Sequence, residues 1–421
     1  MASEPPEAYV WAWLPGATDP VVAGRLRDIG TTVTFTYGLS YLELAEAVPL
    51  YLPELPLSRG PISPSGRSTI AGCIDDAGPD SWGQRVIEHR LLTQGAPEPW
   101  GLDASRSLGW SPLTYLLASD SDRTGALDFQ ASATHYVPRT GGGTLDELAN
   151  AAARLEAGDP FSPALERALL RGSSIGGARP KALLDDQGRK LIAKFSSATD
   201  VFPVVKAEAL AMELGRRVGL HVAPTELTSS MGRDVLLVER FDRGPGGDRK
   251  MMVSALTVLG LAEVEARYAT YHDLADVIAE RFAKPSRSLH ELFARIVFNI
   301  ATGNTDDHAR NHAAFWDGKA HQLSLTPAYD ICPYPRAGQT AEQIMAIGRD
   351  GSKASQFATC VAAAAVYGLS TADARDIVDH QVTTIRREWA EAADVARLTE
   401  ADKTRMWGRD ILNPYAFFDE P

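Results

Sequence analysis

Oxygen-bearing side chains and a histidine are concentrated in one short segment between apolar stretches, near residue 306. Phosphoryl transfer from ATP needs an aspartate that orients the attacking hydroxyl, an asparagine a few residues later for Mg²⁺, and a second aspartate for Mg²⁺. Asp306 and Asn311 have this spacing, whereas Asp307 does not. Alone, such a pair is a weak motif, because a solvated acidic loop contains the same residue types.

A third oxygen donor follows the same segment. Asp330 ends an alternating run, and the residues between it and Asn311 include AAFW, a DGK turn and HQLSL. This pattern predicts a β-hairpin that returns Asp330 toward Asn311. Mg²⁺ prefers a few carboxylate and amide oxygens and leaves its other positions to water and phosphate. The two side chains are therefore a candidate Mg²⁺ site.

A glycine-rich loop lies upstream, in the sequence RGSSIGGARPKALL of residues 171–184. Its glycines allow backbone amides to approach a phosphate closely, although ordinary turns are glycine-rich too. The loop is neither a Walker A motif nor the protein-kinase GxGxxG pattern. The strand LIAKF follows, and its Lys194 has the setting of the kinase lysine that holds the phosphates. A lone strand lysine is more often solvated.

Two further elements follow Lys194 in kinase order. The residues VVKAEALAMELGRRV predict an amphipathic helix from about 204 to 218. Glu208 lies off its apolar stripe, so it is either a surface residue or a partner of Lys194, like the helix glutamate of kinases. The segment VLLVERFDR predicts a strand that ends in a charged turn. A kinase would have its adenine-binding hinge there, near Glu239 and Phe241.

Composition and charge limit the possible functions. The chain has 421 residues, a net charge of −12, 44% hydrophobic and 23% charged residues. These values are typical of globular proteins, and the length favours two or three subdomains. The negative charge disfavours direct binding to nucleic acid or to an anionic membrane. Three cysteines without paired spacing favour a reducing, cytoplasmic location, and no signal peptide or apolar stretch of membrane-spanning length is evident.

The first part of the chain, up to about residue 135, predicts a small mixed α/β region. Alternating residues at 32–37 predict a strand with one buried face, and DSWGQRVIEHRLL predicts an amphipathic helix. The loop VPRTGGGT then separates this region from the rest. After it, Thr144 and Glu147 have the spacing of a capping box at a helix start. The chain after Asp330 is expected to be mostly helical.

In this order, the segments GGARPKALL, AKF, VERFDR, NTDDHARNH and LTPAYDICP resemble the HipA family of bacterial serine/threonine kinases, toxins of type II toxin–antitoxin modules. The N-terminal segments FTYG, PLYLPELPL and AGCIDDAGPDSWGQRVI are similar to the N-terminal subdomain of that family. The resemblance covers nearly the whole chain and implies an α+β, two-lobed protein-kinase-like fold. It implies an N-terminal mixed α/β subdomain at 1–138, an ATP-binding small lobe at 145–245, and a mainly helical C-terminal catalytic lobe at 246–421.

The resemblance also implies a role for each site residue. Asp306 would be the catalytic aspartate, and Asn311 and Asp330 would be the Mg²⁺ ligands. ATP would be bound by residues of the glycine loop, the strand, the hinge and the catalytic loop, namely Gly176, Gly177, Lys181, Lys194, Glu239, Phe241 and His308. Glu208 would form the supporting ion pair with Lys194. His308 would either contact phosphate or brace its loop.

One serine resembles a regulatory site of the family. Ser174 precedes the GARPK segment, like the loop serine that is autophosphorylated in the family. In the family, phosphorylation of that serine holds the glycine loop out of the site and silences the kinase. A phosphoserine adds almost two negative charges and three acceptor oxygens, which is enough to redirect a short loop.

The implied function is an ATP- and Mg²⁺-dependent protein kinase that phosphorylates serine or threonine, on itself and on a translation-related protein such as an aminoacyl-tRNA synthetase. The implied partner is a helix-turn-helix antitoxin, HipB in the family, through which any contact with DNA would be indirect. Two alternatives stay open. The first is a small-molecule kinase, since such kinases use the same Asp-x4-Asn arrangement. The second is a catalytically silent kinase-like module that acts through a DNA-binding antitoxin. The filled catalytic positions favour an active enzyme.

Overall fold

The computed structural model of the protein describes most of the chain. The described residues are 7–94, 110–157, 172–177, 179–197, 200–244, 246–336 and 338–418. They form three antiparallel sheets and a predominantly helical C-terminal part, which confirms the predicted α+β class. Among these residues, no helix has both the length and the apolar character needed to cross a bilayer.

The N-terminal region, defined here as the described residues up to 138, contains a five-stranded sheet in the order β4-β3-β2-β1-β5. Its strands are β1 (Glu7–Ala12), β2 (Val21–Asp28), β3 (Val33–Tyr37), β4 (Pro61–Ile62) and β5 (Leu127–Gln130). Its helices are α1 (Leu39–Leu42), α2 (Gly72–Asp75), α3 (Ser81–Gln94) and α4 (Pro112–Ala118). Val33, Phe35 and Tyr37 are all buried, as their alternation predicted.

The small lobe is a four-stranded sheet in the order β6-β7-β9-β8. Its elements are α5 (Leu145–Ala157), β6 (Lys181–Asp186), β7 (Arg189–Phe195), α6 (Val204–Arg217), β8 (Thr225–Ser230) and β9 (Arg233–Glu239). The predicted capping box is present at α5, because Glu147 N–H donates to Thr144 Oγ1 and Thr144 N–H donates to Glu147. Lys181 and Lys194 are direct cross-strand partners, so both lysines lie on the same face of the sheet.

The C-terminal lobe combines helices with a three-stranded sheet in the order β10-β11-β12. Its strands are β10 (Met252–Ser254), β11 (Ala313–Asp317) and β12 (Gln322–Leu325). Its helices are α7 (Ala255–Val258), α8 (Tyr271–Arg281), α9 (Pro285–Thr302), α10 (Phe357–Ala362), α11 (Thr371–Val395) and α12 (Glu400–Met406). The predicted hairpin is confirmed, because β11 and β12 pair from Ala314 with Leu325 to Asp317 with Gln322.

The three parts share their apolar cores. One buried cluster runs through the N-terminal sheet and the helices of the C-terminal lobe. A second cluster joins one face of the small-lobe sheet to α5, and Trp82 of α3 is buried in it. The N-terminal region therefore packs against both lobes.

Candidate active site

Three charged side chains from distant parts of the chain meet on the inner face of the small lobe. Lys194 Nζ lies 2.5 Å from Glu208 Oε1 and 2.5 Å from Asp330 Oδ1. β7 carries the lysine, α6 carries the glutamate, and Asp330 follows β12. Glu208 is only 5% exposed, so it is not a surface residue. The structure therefore pairs Lys194 with both Glu208 and Asp330.

The charges of this group depend on one another. Burial disfavours the charged ammonium of Lys194, but the carboxylates of Asp330 and Glu208 outweigh it and hold its pKa above the usual value. The Lys194 ammonium in turn lowers the pKa of Asp330 to about 2. Burial raises the pKa of Glu208, against the effect of Lys194. At neutral pH Lys194 and Asp330 are both ionised, which is the state that phosphate and metal binding require.

The predicted catalytic loop, residues 303–312, begins where α9 ends. Gly303 closes that helix in a left-handed conformation with a φ of 66°, and a Cβ there would lie 2.4 Å from the carbonyl oxygen of Asp410. Glycine is therefore required for this sharp exit from the helix. Leu412 N–H donates to the carbonyl of Ala301, so the C-terminal segment packs against the start of the loop.

The two adjacent aspartates of this loop have opposite environments. Asp306 is solvent-exposed, although partial desolvation of its carboxyl raises its pKa. Asp307 is 3% exposed and accepts hydrogen bonds from Tyr271 Oη at 2.5 Å and from Asn299 Nδ2 at 2.8 Å. Its carboxylate also lies 2.7 Å from His312 Nε2. Asp307 therefore stabilises the loop through buried hydrogen bonds, whereas Asp306 is accessible to a substrate.

The β11–β12 hairpin connects the segments that carry Asn311 and Asp330. Thr326 N–H donates to the carbonyl of Ala313 at 3.1 Å, which brings the two ends of the hairpin together. Tyr329 Oη donates to the carbonyl of Arg310 at 2.8 Å and so attaches the residue before Asp330 to the catalytic loop. Asp330 itself has a positive φ of 59°, which is uncommon for a residue with a side chain.

The donor set at this point fits Mg²⁺. Asn311 Nδ2 donates to the carbonyl of Asp306 at 3.4 Å, so its amide oxygen would be the metal-binding atom. Within the described ranges, no cluster of three or more His, Cys, Asp or Glu side chains is arranged to hold a metal. Mg²⁺ does not need one, because one or two protein oxygens together with water and phosphate complete its shell. Asn311 and Asp330 would supply those oxygens.

The glycine loop, of which residues 172–177 and 179–181 are described, lies against the N-terminal region. Lys181 Nζ donates to the carbonyl of Gly176, and burial lowers the pKa of this lysine to about 8. Trp82 Nε1 donates to the carbonyl of Lys181 at 3.2 Å. A Cβ at Gly176 would lie 3.3 Å from Asp80 Oδ2, and burial raises the pKa of that carboxyl to about 6. The loop is therefore docked between the small-lobe sheet and α3.

Ser174 is fully buried within this loop. Its side chain is 0% exposed, and its Oγ has no hydrogen-bond partner among the described residues. Gly177 follows with a φ of 110°, a conformation that glycine adopts readily. In this position the hydroxyl is shielded from solvent.

The predicted hinge ends at an aromatic cluster. β9 ends at Glu239, which is exposed, and Arg240 N–H donates to the carbonyl of Lys190 at 2.8 Å. The Phe241 ring lies 5.9 Å from that of Phe315 and 5.7 Å from that of Tyr329, between ring centroids. These rings form an apolar surface of the kind on which a purine stacks.

Sequence patterns missed three residues of this site. Tyr329 lies within the LTPAYDICP segment without a predicted role, and no sequence pattern pointed to Asp80 or Arg310. His308 is half-buried beside Asp306 and Asp330, and its Nδ1 has no partner among the described residues. Asp80 carries no spacing signal, because its neighbours at the site come from a loop almost a hundred residues later.

Comparisons with known proteins show the family and the fold of this chain. The model of the HipA-like C-terminal domain matches residues 173–389, slightly more than half of the chain. The solved complex of HipA, HipB and operator DNA from Shewanella oneidensis has a chain similar to this one with a TM-score of 0.65 and 20% identity. That similarity covers 95% of this chain and 96% of the other, and it shows that the fold is two-lobed and kinase-like.

Curated relatives match over shorter segments. Y4mE of Sinorhizobium fredii is 31% identical over 149 residues, 33% of each chain. The serine/threonine-protein kinase toxin HipA of Shewanella oneidensis is 26% identical over 188 residues, 38% of this chain and 42% of the relative. The matched segments of these two relatives thus span only a third to two fifths of the relatives' own lengths.

Proposed function

The chain belongs to the family defined by the HipA-like C-terminal domain, and we propose that it is an ATP- and Mg²⁺-dependent serine/threonine protein kinase. The observation that carries the proposal is the contact of one lysine with two carboxylates, Glu208 and Asp330, beside the Asp306 loop. In kinases the corresponding lysine–glutamate pair and the metal-binding aspartate must be in position together for phosphoryl transfer.

Each residue then has a defined task. Lys194 holds the nucleotide phosphates, and Glu208 keeps its ammonium charged and oriented. Asp306 accepts the proton of the attacking hydroxyl, for which a carboxyl with a raised pKa is better suited than an ordinary one. ATP would supply the phosphoryl group, and Mg²⁺, held by Asn311 and Asp330, would neutralise the charge on its phosphates.

The nucleotide base and phosphates would be covered by other predicted residues. The backbone of Glu239 and Phe241 would bind the adenine, beside the aromatic rings of Phe315 and Tyr329. The glycine loop would cover the phosphates with Gly176, Gly177 and Lys181. His308 lies near Asp306 and Asp330, so it is compatible with either of its two predicted roles, contact with phosphate or stabilisation of its loop.

We further propose a partner and a target class. The HipA of Shewanella oneidensis is described in complex with HipB and operator DNA, and a HipB-like helix-turn-helix antitoxin is the corresponding partner here. Contact with DNA would then be indirect, in agreement with the net charge of −12. The phosphorylated target would be a translation-related protein, such as an aminoacyl-tRNA synthetase.

Incubation with ATP labelled on its terminal phosphate tests the activity. We expect label on serine or threonine of the protein and of a protein target. A chelator of Mg²⁺ should abolish this labelling, because the metal neutralises the negative charge of the phosphates. Phosphoproteomics of cells that express the wild type identifies the target. Label found only on small molecules would favour a small-molecule kinase, and absence of any transfer would favour the silent module.

Ser174 is the proposed site of self-phosphorylation. We expect phosphopeptide mapping to find the phosphoryl group on Ser174, and Ser174→Ala to reduce self-labelling to background. The hydroxyl becomes accessible only after the glycine loop leaves its buried position, so self-labelling should be slow compared with target labelling. Ser173→Ala is the matched control, because Ser173 is equally buried but accepts a hydrogen bond from Asp120 N–H. Label that persists in Ser174→Ala and disappears in Ser173→Ala would contradict the assignment.

A further inference from the structure

Arg310, which lies between Asp306 and Asn311, points out of the active site toward three carboxylates. Its Nη1 lies 3.3 Å from Asp76 Oδ1, and its Nη2 lies 3.2 Å from Asp75 Oδ2. Its Nε donates to Glu263 at 2.7 Å. Asp75 and Asp76 belong to the N-terminal region, at the end of α2. A residue of the catalytic loop is therefore tied to a separate part of the chain.

The three pairs differ in strength. The side chains of Asp75 and Glu263 are 50% and 66% exposed, and ion pairs of this kind contribute little. The side chain of Asp76 is only 8% exposed. The side chain of Arg310 is 31% exposed, but Asp76 is buried, so loss of Arg310 would leave the charge of Asp76 without compensation, which is costly. Asp76 is therefore the carboxylate that holds Arg310 in one orientation.

Asp76 is itself firmly placed. It accepts hydrogen bonds from Ser254 N–H and Ser254 Oγ, both at 2.7 Å, at the junction of β10 and α7. At the other end of α2, the carboxylate of Glu54 accepts the N–H groups of Gly72 and Cys73, both at 2.9 Å. Hydrogen bonds thus hold the short helix at both ends, so the position of the Asp76 carboxylate is well defined.

The same junction also holds the end of the catalytic loop. Ala255 N–H donates to the carbonyl of His312 at 2.8 Å. The carbonyl of Arg310 accepts the bond from Tyr329, next to Asp330. Arg310 therefore connects three parts of the site: the N-terminal region through its side chain, the Asp330 segment through its carbonyl, and Asp306 and Asn311 through the chain.

We propose that Asp76 of the N-terminal region is a positioning residue for phosphoryl transfer, which acts through Arg310 to hold Asp306 and Asn311 in register with Asp330. The inference rests on the proposed kinase function and adds that the N-terminal region is needed for catalysis itself. The alternative is a purely structural role, in which the ion pair of Asp76 with Arg310 only attaches the N-terminal region to the C-terminal lobe. A structural role of that kind would change stability without changing the turnover of folded molecules.

The test compares Asp76→Asn and Arg310→Gln with the wild type under conditions where all are folded. We expect each to lower kcat on the order of 10²-fold, because a displacement of about 1 Å at reacting groups has that effect. The KM for ATP should rise by a smaller factor than kcat falls, since Lys194 and the hinge, which would hold the nucleotide, are untouched. The double variant should be no worse than either single variant, because both remove the same interaction.

Arg281→Gln is the matched control. Arg281, at the end of α8, also joins the C-terminal lobe to the N-terminal region, through Tyr51 Oη at 3.1 Å and the carbonyl of Leu52. It is remote in sequence from the catalytic loop, so its loss should reduce stability and leave kcat unchanged. Equal losses of kcat in Arg281→Gln and Arg310→Gln, or none in Asp76→Asn, would overturn the inference.

A second measurement separates this inference from the proposed function. Amide hydrogen exchange of residues 303–312 should be faster in Asp76→Asn than in the wild type and in Arg281→Gln. If the wild type transfers no phosphate, the kinase proposal fails, and the exchange result still decides whether Asp76 holds the loop. Unchanged exchange across that segment would show that it does not.

Discussion

Replacement of Asp306 by asparagine is expected to lower the rate of phosphoryl transfer by about 10²- to 10⁴-fold. The variant keeps the size of the side chain and loses only the group that accepts the hydroxyl proton. Asp306 is solvent-exposed, and its carbonyl would still accept the bond from Asn311 Nδ2. The midpoint of thermal unfolding should therefore stay near that of the wild type. Rates come from label transfer, and folding is followed by circular dichroism.

Asp317→Asn is a suitable control for this loss. Asp317 is also exposed and lies in the neighbouring hairpin turn, where it accepts the N–H groups of Lys319 and Ala320. Its replacement should leave transfer unchanged. Because partial desolvation raises the pKa of Asp306, wild-type activity should fall on acidification at a pH above the ordinary range of an aspartate. Undiminished labelling by Asp306→Asn would remove this residue from the mechanism.

The neighbouring aspartate should show the opposite behaviour. Asp307→Ala is expected to lower the free energy of unfolding by about 3–5 kcal/mol, since it leaves the buried partners Tyr271, Asn299 and His312 without their acceptor. Chemical denaturation measures the change. Asp306→Ala is the matched control, with an expected change within about 0.5 kcal/mol. Similar values for the two variants would contradict the assignment of Asp307 as the internal brace.

The stabilisation from Asp307 should depend on pH in a defined direction. Burial opposes its ionisation, but His312 and the hydrogen bonds outweigh this and lower its pKa below the usual value. A carboxyl with a lowered pKa stabilises the folded state above its unfolded pKa, about 3.9, and loses that contribution as the pH falls. The difference in stability between wild type and Asp307→Ala should therefore narrow below about pH 4.

Local patterns in the sequence predicted the elements of this site better than their contacts. The spacing of apolar residues at 204–218 predicted α6, and the turn residues between Asn311 and Asp330 predicted the hairpin. Both elements depend mainly on residues that are close together in the sequence. The bond between Lys194 and Asp330 joins residues 136 positions apart, and that between Arg310 and Asp76 joins residues 234 apart. No periodicity encodes such separations. The family resemblance assigned Lys194 and Asp330 to one site without predicting their contact, and nothing pointed to the contact of Arg310 with Asp76.

Glu208 shows why one prediction had to stay open. A glutamate off the apolar stripe of an amphipathic helix is usually exposed. Here α6 packs against β9, the strand next to β7, and Glu208 is 5% exposed, beside Lys194. A buried glutamate is tolerated because a cation compensates it, and that cation lies on another element. The burial of this residue is thus a tertiary property that its own helix does not reveal.

The left-handed backbone at Asp330 has a consequence for attempts to improve this protein in the laboratory. A side-chain-bearing residue held at a φ of 59° costs roughly 1–3 kcal/mol relative to a relaxed conformation. Glycine would relieve that cost, so a screen for heat-resistant mutants has a reason to enrich it there and would thereby select against the carboxylate. Engineering of this protein for higher thermal stability therefore has to retain Asp330.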